Sequence, residues 1–110
     1  MNSISQSSDG GWSVTAGDVP GDVIMAGEID FSVAPRVRER LMECLEAGGP
    51  EIVLHLAGLD YIDSSGLALL IEARKHLAES GRTIRIADIS PQVRKIFNLT
   101  QLGELFGLPE

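Results

Sequence analysis

The sequence predicts an α/β domain: an N-terminal β-hairpin, then βα units, building a mostly parallel mixed sheet of about four to five strands packed with about four helices. Three observations carry this. An apolar alternation, a turn and a second apolar run open the chain; β-rich runs then alternate with apolar residues at helical spacing; and no internal repeat or linker interrupts them. At 110 residues and 44% hydrophobic content, the chain suits one core in one domain.

Residues 1–10 are rich in Ser and Asn and poor in apolar side chains, so they cannot offset their own ordering entropy. They are expected to form a flexible tail, with residues 11–110 as the domain. Trp12 to Ala16 alternates large apolar with small polar residues, and Val23 to Ala26 is a short apolar run. Asp18-Val19-Pro20-Gly21 supplies turn chemistry between these two strands. Gly27-Glu28-Ile29-Asp30 follows, and Ser32 and Pro35 signal a helix start. Val37, Leu41, Cys44 and Leu45 then recur at helical spacing until Gly48-Gly49-Pro50, which predicts a helix over 34–47.

Ile52-Val53-Leu54-His55-Leu56 is apolar on both faces, as expected of a central strand covered on both sides or flanked by other strands. It leads into Leu59-Asp60-Tyr61-Ile62-Asp63-Ser64-Ser65-Gly66, where a strand end meets a helix start. That helix is expected to run from Ser64 or Ser65 to about Glu79. Its first turns, Leu67 to Ile71, are apolar all round, so a second element or a partner must cover the outer side. Thr83 to Ala87 reads as a further strand, and Ser90-Pro91 opens a short helix with Val93, Ile96 and Phe97 inward. Asn98 to Thr100 reads as a break before a last short helix over Gln101 to Phe106.

The net charge of −7 argues against nucleic acid or an anionic membrane surface and favours a partner with a basic surface. A single cysteine, Cys44, makes no internal disulfide, which fits a reducing compartment, the cytoplasm. Neither a signal peptide nor a bilayer-spanning apolar run is evident.

Catalytic and cofactor motifs are absent: no Gly-x-x-x-x-Gly-Lys, no Gly-x-Gly-x-x-Gly, no His-Glu-x-x-His and no Cys-x-x-Cys. No cofactor, metal or enzymatic activity is expected. A hydrolase built on Ser65, His55 and Asp63 lacks the Gly-x-Ser-x-Gly elbow, and a histidine inside a strand is badly placed to reach a loop hydroxyl. A phosphoaspartate receiver using Asp30, Asp60 and Asp63 lacks the strand-end lysine, since Asp88 stands after Thr83 to Ala87. Two readings of Asp63-Ser64-Ser65-Gly66 stay open on the residues alone. The serines can be ordinary helix caps, or one can cap while its neighbour keeps a free hydroxyl. Four acids in or near the expected turns, Glu28, Asp30, Asp60 and Asp63, form a negative rim. A phosphate of about −1.5 to −2 charge there would gain helix-end N–H contacts yet deepen the repulsion.

The chain resembles the STAS domain family, most closely its free-standing bacterial members, the anti-sigma factor antagonists. Gly27-Glu28-Ile29-Asp30 matches the family's Gly-Glu-hydrophobic-Asp segment and Leu59 to Leu67 its phosphorylation loop and helix start. Thr83 to Ala87 and Pro91 to Phe106 match its closing strand and helices. The resemblance implies partner switching: the unphosphorylated antagonist binds an anti-sigma factor serine kinase that uses ATP and magnesium, phosphorylation releases it, and a phosphatase restores it. By motif position the phosphoacceptor is Ser65, with Ser64 its neighbour, and Glu28, Asp30, Asp60 and Asp63 as contact or shaping residues. Ser64 is expected as the cap, and Leu67, Ala68 and Ile71 as the docking face. The resemblance also admits other family roles: a subunit of a lipid-trafficking ABC transporter or a stress-signalling scaffold. Leu54-His55-Leu56-Ala57 departs from the family pattern, which commonly has an acid and a serine there.

Overall fold

The computed structural model describes residues 11–108, so the tail expected over residues 1–10 lies outside the described residues. Among these, four strands form one sheet in the order β1 (Trp12–Ala16), β2 (Asp22–Ile29), β3 (Glu51–Ile62) and β4 (Thr83–Ile89). β1 and β2 pair antiparallel across the expected turn, whereas β2–β3 and β3–β4 pair parallel. Parallel neighbours need a crossover, supplied by α1 (Ala34–Ala47) between β2 and β3 and by α2 (Ser64–Ala78) between β3 and β4. α3 (Pro91–Thr100) and a 3-10 turn (Gly103–Phe106) follow, so the expected set of about four helices is three α-helices and a 3-10 turn in place of the last.

One hydrophobic core lies on one face of the sheet. Val14, Met25, Ile52, Leu54, Leu56 and Ile86 bury alternate positions of the strands and join a cluster with Val37 and Leu41 of α1, Leu70 and Leu77 of α2, and Val93 and Phe97 of α3. Phe97 and Phe106 meet edge to face at 5.9 Å and 84°, fastening the last turn to α3. The central strand takes the second of the two expected forms. β3 is flanked by β2 and β4, but Val53 and His55 are only half-buried and Ile24 is exposed, so the opposite face of the sheet is not covered.

Helix ends explain the remaining differences. Ser32 does not cap α1; its N–H and hydroxyl turn back to Asp30, and Val33 is the N-cap position, with no side-chain cap. The other end of α1 is held by Arg82, which donates to the carbonyls of Leu45 (2.6 Å), Gly48 (3.1 Å) and Gly49 (3.0 Å). A cation on those orphan carbonyls also complements the helix dipole. Arg40 of α1 donates to the Val14 carbonyl at 2.8 Å and ties the helix to the edge strand β1. Ser90 caps α3 as expected, accepting from Val93 N–H while donating to the Leu59 carbonyl at 2.6 Å. α3 then continues through Asn98–Thr100, where a break was expected, and ends at Gln101 in the left-handed region (φ 60°).

Candidate functional site

Because β2 and β3 run parallel, their C-terminal ends leave the sheet on the same edge. The register pairs Ile29 with Ile62, so Asp30 and Asp63 are neighbouring first residues beyond the strands. Asp63 N–H donates to the Ile29 carbonyl at 3.1 Å.

Asp63 organises the edge. Its Oδ1 accepts from the N–H groups of Ser65 (2.9 Å) and Gly66 (3.1 Å), and its Oδ2 accepts from Phe31 N–H (3.0 Å). One carboxylate therefore caps α2 and pins the β2–α1 loop to it. The expectation that Ser64 is the cap is corrected: Asp63 is the N-cap, and Ser64 and Ser65 are the first two helical residues. A carboxylate brings two acceptor oxygens and a full negative charge to a helix start, so it displaces a hydroxyl from that role. Neither serine is taken up by the cap; Ser64 is exposed and Ser65 half-buried.

Gly66 shows how tightly this start is seated. A Cβ there would overlap the Ile62 side chain and approach Ile29 Cγ2 to 3.0 Å, so α2 begins directly on the buried ends of both central strands. Across the edge, Asp30 Oδ1 accepts from Ser32 N–H (3.0 Å) and Ser32 Oγ–H (2.6 Å). The Ser32 hydroxyl holds this carboxyl below the usual carboxylate range.

The other expected residues divide. Glu28 and Asp60 are exposed as required of a rim, but they lie on the ends of β2 and β3, not in turns; Asp60 falls at a register irregularity between these strands. Leu67 is corrected: at 7% exposure it belongs to the core, because the start of α2 packs on both the sheet and α1. Burial of Leu67, Leu69 and Leu70 accounts for most of the all-round apolar pattern. Ala68 and Ile71 are left exposed, Ile71 at 39%.

Two aromatic residues were missed. Phe31 is 74% exposed on the loop that Asp63 holds, and Tyr61 is 47% exposed where β3 pairs with Glu28. The sequence clue was an aromatic inside the polar turn Asp30-Phe31-Ser32, where nothing in the turn chemistry calls for one.

The geometry does not assemble a catalytic set. His55 lies seven residues before Ile62 along β3, roughly 20 Å at strand rise, too far to serve Ser65 as a base. It is engaged elsewhere, with Nδ1 at 2.6 Å from Asp88. Among the described residues, no three His, Cys, Asp or Glu side chains converge as a metal ion would need, and no helix is long and apolar enough to cross a membrane.

Fold and site together define a small α/β domain that presents a serine at a helix start inside an acidic, partly aromatic surface. Residues 15–109 match the model of the STAS domain, and the chain belongs to that family. Its curated relatives include the anti-sigma-B factor antagonists of Staphylococcus epidermidis and Staphylococcus aureus. Each is 28% identical over 89 residues, which cover 81% of this chain and 82% of the relative. Among solved structures, the anti-sigma factor antagonist from Mycobacterium paratuberculosis superposes with a TM-score of 0.76 at 22% identity, covering 91% of this chain and 86% of that one. The phosphorylated form of the Bacillus cell fate determinant SpoIIAA gives 0.62 at 20% identity, covering 90% and 91%. At these identities the structures establish the fold; the family of antagonists is non-enzymatic.

Proposed function

We propose that the chain is a partner-switching anti-sigma factor antagonist. In its unphosphorylated form it binds an anti-sigma factor serine kinase, and phosphorylation at Ser65 releases it. Its setting is the cytoplasm, with residues 11–110 acting as one domain and a phosphatase resetting the cycle. The observation that carries this reading is the Asp63 cap. Because Asp63 satisfies the Ser65 and Gly66 N–H groups, the serines are spare, and a phosphate on Ser65 finds those donors already occupied by a carboxylate. Repulsion then outweighs any gain from the helix start. Glu28, Asp30 and Asp60 widen the negative rim to which that charge is added.

Incubation with the kinase that binds the unmodified chain, plus ATP and magnesium, is expected to place a single phosphate on Ser65, read by peptide mass mapping. A phosphate confined to Ser64 overturns the assignment. Recovery of a transporter ATPase in place of a kinase overturns the switching role.

The exposed surface of Ala68, Ile71 and Phe31 supplies the apolar part of the interface. Aromatic side chains held on a fixed backbone make efficient anchors because little entropy remains to be lost on binding. Phe31→Ala is therefore expected to weaken kinase binding by roughly tenfold or more while leaving the melting temperature unchanged, since the side chain packs little against the fold. Unchanged affinity in titration calorimetry would remove Phe31 from the interface.

A further inference from the structure

The uncovered face of the sheet carries a second polar constellation, distant from Ser65. His55 on β3 stands between Asp22 on β2 and Asp88 on β4. Its Nδ1 is 2.6 Å from Asp88 Oδ2, and its buried Nε2 lies 3.3 Å from Asp22 Oδ1, off the line of a well-formed hydrogen bond. The other oxygen of Asp88 accepts from Ala57 N–H at 2.9 Å. The parallel ladders are irregular on both sides of this point, between Ile24 and Ala26 on β2 and between Leu54 and His55 on β3. Side chains thus span a region where regular backbone pairing is interrupted.

The ring's two nitrogens face two carboxylates, and that decides its protonation. A neutral imidazole has one N–H and one lone pair. With the proton on Nδ1, the Nε2 lone pair faces Asp22; with it on Nε2, the Nδ1 lone pair faces Asp88 at 2.6 Å. Only the imidazolium offers a donor to both. Two further charged groups on this face, Arg85 of β4 and Glu51 of β3, are paired with each other at 3.3 Å, and Glu28 and Asp60 lie farther along β2 and β3 towards their C-terminal ends. From the neighbouring strands, then, His55 faces two anions directly, while Arg85 on the same face is engaged with Glu51.

We propose that Asp22, His55 and Asp88 form a protonation-dependent clasp across β2, β3 and β4, closed while His55 carries its second proton and loosened when it loses it. The direction of titration agrees: the Asp88 hydrogen bond raises His55 above its ordinary value, against partial burial and with help from Asp22. For Asp88, burial pushes the carboxyl up, but the bonds from His55 and Ala57 outweigh it and leave it lowered. A raised histidine contributes stability that is fully present below its unfolded value of about 6.5 and is lost as pH rises through the folded value.

The test is an NMR titration of the His55 ring with thermal unfolding of wild type and His55→Gln from about pH 6 to about 8.5. The expected results are a His55 midpoint above about 6.5 and a wild-type melting temperature falling by roughly 4 °C or more relative to the variant across that range. His76→Gln, which removes the other histidine, should leave the fall intact. Asp22→Asn and Asp88→Asn should each lower the His55 midpoint, which keeps the test decisive if His55→Gln does not fold. A midpoint at or below about 6.5, or wild-type and His55→Gln profiles that run parallel, would overturn the clasp.

Discussion

Ser65→Asp is expected to weaken binding to the kinase by roughly 30-fold or more, about 2 kcal/mol, and Ser65→Ala to bind within about threefold of wild type while resisting release by ATP. The size follows from where the charge goes. Position 65 is the second residue of α2, beside the Asp63 carboxylate that already holds the local N–H groups. A second carboxylate there adds to Asp63 and to the rim of Glu28, Asp30 and Asp60 without new donors to offset it. A carboxylate at a position the partner must cover is desolvated on binding with no new donor to pair it, and it carries less charge than phosphoserine, so this is a lower bound on the effect of phosphorylation. Misfolding does not explain the loss, since Ser65 lies outside the hydrophobic core. Circular dichroism melts of the three proteins should therefore agree while their titration isotherms diverge. Equal binding by Ser65→Asp and Ser65→Ala would end the repulsion mechanism.

Which parts of this site were legible in the sequence depends on how local their causes are. The helix over 34–47, the hairpin and the Ser90 cap were readable because spacing, turn residues and caps act within a few positions. The Asp63 cap was not: Asp63, Ser64 and Ser65 are all good capping residues, and the choice is made by Phe31, 32 residues away, whose N–H takes the second oxygen of Asp63. Leu67 was misplaced for a similar reason. Its burial depends on α1 lying beside α2, a packing that includes the Arg38–Glu72 pair and that no periodicity within α2 reveals. The extension of β3 from Leu56 to Ile62 was hidden by its irregularities, since Asp60 and Tyr61 both lie outward and break the alternation that marks a strand. His55 stood out only as a departure from a pattern, because its partners lie on two other strands.

Gly27→Ala is expected to cost about 4 kcal/mol or more, a large part of the 5–15 kcal/mol that holds a typical domain together, and to lower the melting temperature by roughly 15 °C or more. Gly27 has φ 91°, in the left-handed half of the map, where a side chain alone costs about 1–3 kcal/mol. The position is also occupied: a Cβ would overlap the carbonyl oxygen of Gly11 and approach Trp12 Cα to 2.8 Å, backbone atoms that cannot rotate away. Moving them would break the bond from Glu28 N–H to that carbonyl (3.1 Å) and shift buried Trp12 on β1. Glu28→Gln, one residue on, should change stability by no more than about 0.5 kcal/mol because its side chain is exposed. This contrast separates the jobs within Gly27-Glu28-Ile29-Asp30. The glycine serves the backbone at the hairpin, Ile29 fills the core, Asp30 shapes the turn that displays Phe31, and Glu28 is left with an exposed side chain. A Gly27→Ala protein that melts with wild type would show the strand can shift there, and would remove the backbone role given to the glycine.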